Sequence, residues 1–215
     1  MSRIAIVGGH GKIALQAAKI LSTEGHEVTS LIRKPEQRAE IEGAGASASI
    51  IDLESASQDE LAAVFRGHDA VVFSAGAGGG SPERTYAVDR DAAIKTMDAA
   101  SAAGVERYVM VSYMGAGPDH GVPEDDSFYP YAESKAEADT HLKGTDLAWT
   151  ILGPSMLSDD PATGAIEVGQ SGSGSAARGN VAQVIAAVLT DESTIRRTIE
   201  FVDGPTPIRD AVSAE

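Results

Sequence analysis

Tyr131 and Lys135 stand four residues apart in Y-A-E-S-K, a separation that places two side chains on one face of a helix, one turn apart. An ammonium beside a phenol favours the phenolate. The spacing therefore predicts a Tyr131 hydroxyl drawn down from about 10 toward the range of an acid/base catalyst. Lys135 could also hydrogen-bond the hydroxyls of a bound cofactor. Ser112, at the end of an apolar run upstream, could donate to a substrate carbonyl oxygen as charge develops there.

A second group of residues would hold the cofactor. Arg3 to Ala14 reads R-I-A-I-V-G-G-H-G-K-I-A. Ile4 to Val7 is a short apolar run suited to a strand buried on both faces. Gly8, Gly11 and Ala14 then fall in a G-x-x-G-x-x-A spacing that opens a helical pattern from Lys12 to Thr23. Small residues there permit a tight turn, close approach of backbone to a diphosphate, and close helix-to-strand packing. The diphosphate would rest on the N–H groups that begin the helix, at Lys12 and Ile13, and on its partial positive charge. His10 lies inside this loop and could touch a phosphate.

After the second strand, an acid would accept hydrogen bonds from an adenosine ribose and an Arg would accommodate a 2′-phosphate. The chain has Arg33 and Lys34 and no acid, which favours NADP(H) over NAD(H). Asp52 and Leu53, after the third strand, would lie beside the adenine ring. Ser74, Ala75 and Gly76, after the fourth, offer a platform of small residues for the rest of the dinucleotide.

The elements that must position these groups alternate almost to the end of the chain. Strands are predicted at Glu27 to Ile32, Ala48 to Ile51, Ala70 to Ser74, Arg107 to Ser112, Ala148 to Leu152 and Thr198 to Val202. Helices are predicted at Glu36 to Glu42, Gln58 to Arg66, Ser81 to Ala103, Tyr131 to Leu142 and Asn180 to Leu189, the last capped near Gly179 or Asn180. This rhythm implies right-handed βαβ crossovers and an α/β, doubly wound, mainly parallel sheet in a single domain over residues 1–215. Two irregular stretches, about 115–130 and 155–179, would wall the substrate side. The second reads as a surface excursion, and Gly204 to Glu215 reads as a short polar tail.

Bulk properties narrow the function. Across 215 residues, 17 basic and 32 acidic side chains give a net charge of −15. That excess argues against a nucleic-acid partner, and it requires local cations wherever an anionic cofactor binds. With no cysteine, thiolate catalysis and disulfides are excluded. No window is long and apolar enough to span a membrane, and a cytoplasmic protein is expected. The five histidines show no ligand-like spacing, so no metal site is expected. Trp149 reads as core.

Together, G-G-H-G-K-I-A, R-K-P, D-L, V-S-Y, Y-A-E-S-K and T-I-L-G-P resemble an atypical short-chain dehydrogenase/reductase. The similar branch is the small NAD(P)-binding one of NmrA-like proteins, biliverdin reductase B-type flavin reductases and bacterial proteins labelled NAD-dependent epimerase/dehydratase. The resemblance spans nearly the whole chain. It implies a Rossmann fold, NADP(H) on Gly8, Gly11 and Arg33, and a Ser-Tyr-Lys set at Ser112, Tyr131 and Lys135, in which the Tyr moves a proton and the Lys binds the nicotinamide ribose. Two departures stand out. Relatives often carry two adjacent hydroxyl residues after the fifth strand, where Ser112 is followed by Tyr113. They also commonly read R-P-G where this chain has Gly153, Pro154 and Ser155. The expected activity is hydride transfer to or from a small carbonyl, quinone or flavin-like substrate. Two alternatives remain, a sugar-nucleotide epimerase or dehydratase and a redox sensor that passes the NADP(H) ratio to a protein partner. A monomer or small homo-oligomer fits any of them.

Overall fold

In a computed structural model that describes residues 1–78, 81–169 and 174–213, the first strand, β1 (Arg3–Val7), lies at the centre of the sheet. Ile4, Ala5, Ile6 and Val7 are each at most 1% exposed. Ile4 and Ile6 pack into one core and Ala5 and Val7 into the other, because successive side chains of a strand point to opposite faces. That is why the run is continuously apolar.

The chain proceeds through α1 (Lys12–Thr23), β2 (Glu27–Ile32), α2 (Arg38–Gly43), β3 (Ser47–Ile50), α3 (Gln58–Phe65), β4 (Ala70–Phe73), α4 (Pro82–Thr85), α5 (Ala93–Ala103), β5 (Arg107–Val111), α6 (Tyr129–Lys143) and β6 (Ala148–Pro154). Then come β7 (Met156–Ser158), β8 (Ala165–Val168), β9 (Ser175–Ala177), α7 (Arg178–Leu189), β10 (Arg197–Asp203), β11 (Thr206–Pro207) and α8 (Ile208–Ser213). The main sheet has the order β11-β8-β10-β6-β5-β4-β1-β2-β3. It is parallel from β3 to β10, and β8 and β11 add an antiparallel edge. One face is covered by α1 and α7, the other by α3, α5 and α6. The doubly wound α/β architecture is as the alternation of elements predicts, and Trp149 is buried in a core.

Four elements differ from the sequence reading. First, the stretch 155–179 is not simply a surface excursion. It contributes β8 to the main sheet and pairs β7 with β9. Ile166 is fully buried, and β8 finds its place through a long-range partner, β10, which no local pattern encodes. Residues 170–173 of that stretch lie outside the described residues, as do Gly79 and Gly80 of the A-G-A-G-G-G run and the last two residues of the tail. Second, the polar tail folds into β11 and α8, which bury Ile208, Ala211 and Val212. Third, α7 starts at Arg178 with Ala177 as its cap. Asn180 is fully buried; its Oδ1 accepts the Gly164 N–H at 2.9 Å and its Nδ2 donates to Asp203 Oδ1 at 2.7 Å. The amide therefore ties β8 to β10 and leaves the helix end uncapped.

The expected helix Ser81 to Ala103 is interrupted. Between α4 and α5 the chain makes a π turn over Tyr86–Ala92, a wide turn frequent at functional sites. It buries Asp89, which is 1% exposed and accepts the Ala77 N–H at 2.9 Å.

Candidate functional site

The turn after β1 requires glycine. Gly8 has φ +78°, and a Cβ there would fall 2.5 Å from Ala75 Cα, so a side chain is excluded both by conformation and by the neighbouring backbone. The Gly11 N–H closes the turn on the Gly8 carbonyl at 2.9 Å. No side chain caps the first N–H groups of α1. Backbone donors at an uncapped helix start are complementary to an anionic phosphate. A dinucleotide diphosphate fits this loop.

The loop opens onto a cleft of about 280 Å³. Gly8, His10 and Gly11 form one side; Arg33, Asp52 and Leu53 come from the carboxyl ends of β2 and β3; Ser74, Ala75 and Gly76 come from the end of β4. Nine of the residues singled out in the sequence thus meet at one place. Three others do not line it. Lys12 Nζ pairs with Asp159 at 2.6 Å, Ile13 is 8% exposed within the core, and Lys34 is exposed at the start of a 3-10 turn over Pro35–Gln37.

The cleft also gathers residues that sequence reasoning missed. Glu54 Oε1 lies 3.4 Å from Arg33 Nη1 and 3.5 Å from Arg84 Nε. It thereby links the β3 end to α4 across the cleft mouth. Arg84 also donates from Nη1 to the Ala77 carbonyl at 2.9 Å. Gln37 Nε2 lies 3.0 Å from His10 Nδ1, and Glu40 Oε2 lies 3.2 Å from His10 Nε2. A carboxylate two residues beyond Asp52 was the available signal for Glu54. Arg84 gave none, because its approach depends on how α4 folds back over the sheet.

A second cleft, of about 690 Å³, opens on the other side of Gly76. Tyr131 lines it, together with Asp89, Phe128 and Thr85. Tyr113 packs behind both rings, 5.4 Å from Phe128 and 5.5 Å from Tyr131.

Lys135 and Ser112 line neither cleft. Lys135 is 1% exposed, donates to the Val111 carbonyl at 3.0 Å and lies 3.8 Å from Asp89 Oδ1. Ser112, 4% exposed, donates to Asp139 Oδ2 at 2.6 Å. In this structure both side chains are turned to buried protein partners. Both serve a buried network of one ammonium and two carboxylates.

That network reverses the expected effect on Tyr131. Its phenol is pushed up, not down, first by desolvation and then by the Asp89 and Asp139 carboxylates and Tyr113. Lys135 supplies no net relief, because two carboxylates surround it, and burial lowers its own affinity for a proton. Burial likewise raises Asp89 and Asp139, against the opposing pull of Lys135.

Among the described residues, no group of three or more His, Cys, Asp or Glu could hold a metal ion, and no helix is long and apolar enough to cross a membrane.

The chain is similar to known proteins over nearly its whole length. A Bacillus subtilis protein described as an uncharacterized sugar epimerase, YhfK, is 33% identical over 213 residues, covering 98% of each chain. A solved Bacillus halodurans structure, provisionally described as an NAD-dependent epimerase/dehydratase, superposes with a TM-score of 0.91 at 34% identity over 99% of both chains. The Lactococcus lactis oxidoreductase ylbE does so with a TM-score of 0.86 at 29% identity over 98% of this chain and 94% of that one. Residues 8–192, from the glycine turn to the loop after α7, match the family described as NAD(P)H-binding, and the chain belongs to that family.

Proposed function

We propose that this protein is an NADP(H)-dependent oxidoreductase of the short-chain dehydrogenase/reductase type, with the dinucleotide in the first cleft and a small acceptor in the second. The observation that carries the reading is the junction of the two clefts at Gly76, with Tyr131 facing the far one. The uncapped start of α1 would hold the diphosphate, and Arg33 would meet a 2′-phosphate. A bound nicotinamide supplies or accepts hydride. Tyr131, held protonated by its surroundings, would give its proton to the oxygen of a substrate being reduced. Lys135 and Ser112 act one layer back: the first holds Asp89 and the Val111 carbonyl, the second holds Asp139.

The test is calorimetric titration of cofactor-stripped protein with NADPH and NADH, repeated on Arg33→Ala. Tighter binding of NADPH, with the preference lost in the variant, supports the reading. No binding of either at millimolar concentration removes it. Tyr131→Phe should leave NADPH binding nearly intact and lower kcat by about 10²- to 10⁴-fold.

The name of the Bacillus subtilis relative favours a second reading, an epimerase whose cofactor is oxidised and reduced within one turnover. Such an enzyme would convert its substrate with a catalytic amount of cofactor. An oxidoreductase consumes NADPH in proportion to product.

A further inference from the structure

We propose that the second cleft selects uncharged planar ring compounds and turns away anionic ones. The inference rests on the reading above only in taking this cleft as the substrate side.

Two exposed carboxylates, Glu124 and Asp126, stand on the rim of the cleft, and a third, Asp89 on the inner wall, is buried and paired with Lys135. No Lys, Arg or His is among the described residues that line it. Three cations of the flanking elements are committed elsewhere. Arg84 faces Glu54 and the Ala77 carbonyl, Arg90 pairs with Asp91 at 2.7 Å and with Glu137 at 3.7 Å, and Lys135 is sealed beneath Asp89. An anion entering would pass the Glu124 and Asp126 carboxylates with no cation among the described lining residues to offset them. At about 5 Å, one such pair costs from about 4-fold in affinity at the dielectric of water to more than 100-fold at an effective dielectric near 20.

The remaining lining suits a flat ring. Phe128 is 43% exposed, an unusual exposure for a phenylalanine beside a cavity, and Tyr131 lies 5.2 Å from it at an interplanar angle of 50°. Across from them, Gly76, Ala77 and Gly78 contribute backbone and one methyl group. Aromatic walls over a backbone floor offer stacking and apolar burial. The same lining disfavours the diphosphate of a sugar nucleotide on this side of the protein.

The experiment compares ligands matched in ring and different in charge. Riboflavin against its 5′-phosphate ester, FMN, is read by quenching of flavin fluorescence. 1,4-Naphthoquinone against 1,4-naphthoquinone-2-sulfonate is read by calorimetry. Both are titrated into the full chain with saturating NADP⁺, which keeps phosphates off the glycine loop. In at least one pair the neutral member should bind at least about 10-fold more tightly, and Glu124→Lys, a change on the exposed rim, should narrow that ratio several-fold. Equal or tighter binding of the anion in both pairs overturns the proposal, as does failure of both neutral compounds to bind. A separate titration with NADP⁺ alone reports on the cofactor site, and its failure would remove the proposed function without deciding the charge preference. In that event the same pairs are read on the protein alone.

Discussion

The Lys135 ammonium lies 3.8 Å from the Asp89 carboxylate, and neither side chain is more than 2% exposed. The pair joins α6 to the π turn before α5, beneath the second cleft. Removing one partner of such a pair leaves an uncompensated charge in a medium that solvates it poorly. Asp89→Ala should therefore destabilise by about 3–5 kcal/mol. Lys135→Met alone should be costly for the same reason, since it leaves two buried carboxylates. The double variant should be more stable than the sum of the single changes allows, by about 0.5–3 kcal/mol. Urea unfolding of the four proteins measures this coupling, and strict additivity would show that the two charges do not act as a pair.

Ser112 is bound to Asp139 at 2.6 Å, and the other oxygen of Asp139 has no hydrogen-bond donor. Ser112→Ala strips the carboxylate of its short hydrogen bond. The expected loss of stability is about 1–3 kcal/mol. Because the hydroxyl is turned to Asp139 and lines neither cleft, kcat/KM for NADPH-dependent reduction should change far less than in Tyr131→Phe. A loss equal to that of Tyr131→Phe, with stability unchanged, would place the Ser112 hydroxyl on the substrate after all.

Asp139 also predicts a pH dependence. Burial raises its carboxyl above the ordinary range, outweighing the Ser112 hydrogen bond and the attraction of Lys135 and Lys143. The phenols of Tyr113 and Tyr131 face the same network. The native state therefore keeps a proton that the unfolded chain loses near 3.8, and native binding of more protons means stability that falls as pH rises. This contribution is fully present in acid and is lost as pH climbs through the raised value. In Asp139→Asn the amide cannot ionise, so the stability of the wild-type protein relative to the variant should decline from pH 4 toward neutrality. The decline is about 1.4 kcal/mol for each pH unit by which burial displaces the group. A flat difference from pH 4 to 8 would contradict it.

What the sequence disclosed, and what it did not, follows from the range of the interactions involved. The glycine turn and the arginine after β2 were legible because each acts within a few residues of a strand end. Nine expected cofactor residues converge because a parallel sheet brings all its carboxyl ends to one edge. The i, i+4 relation of Tyr131 and Lys135 was also correct as geometry. The expected lowering of the Tyr131 phenol was not, because burial raises it and the charge around Lys135 comes from Asp89 on a π turn 46 residues upstream and from Asp139 one turn further along α6. No propensity marks a π turn within an apparently regular helix. β8 and α8 were missed for a related reason: Ile166, Ile208, Ala211 and Val212 become core only against β10 and α7, and their local surroundings are polar.

Glu54 governs the last prediction. Its Oε1 lies 3.4 Å from Arg33 and 3.5 Å from Arg84 at the mouth of the cofactor cleft. All three side chains are at least 35% exposed, so each ion pair is screened and contributes little to stability, about 0–1 kcal/mol. The consequence for binding is larger. A 2′-phosphate can engage the Arg33 fork only by taking the place of the carboxylate or by accepting its repulsion, whereas an unphosphorylated ribose can offer the carboxylate a hydroxyl. Glu54 thus opposes the preference that Arg33 confers. Glu54→Gln should leave the melting temperature nearly unchanged, tighten NADPH by several-fold and leave NADH unchanged or weaker. Arg33→Ala should do the reverse, lowering NADPH affinity toward that of NADH. Parallel calorimetric titrations of the wild-type protein and both variants measure the two ratios. If Glu54→Gln weakens both cofactors equally, the carboxylate orders Arg33 and Arg84 for binding and does not compete with the phosphate.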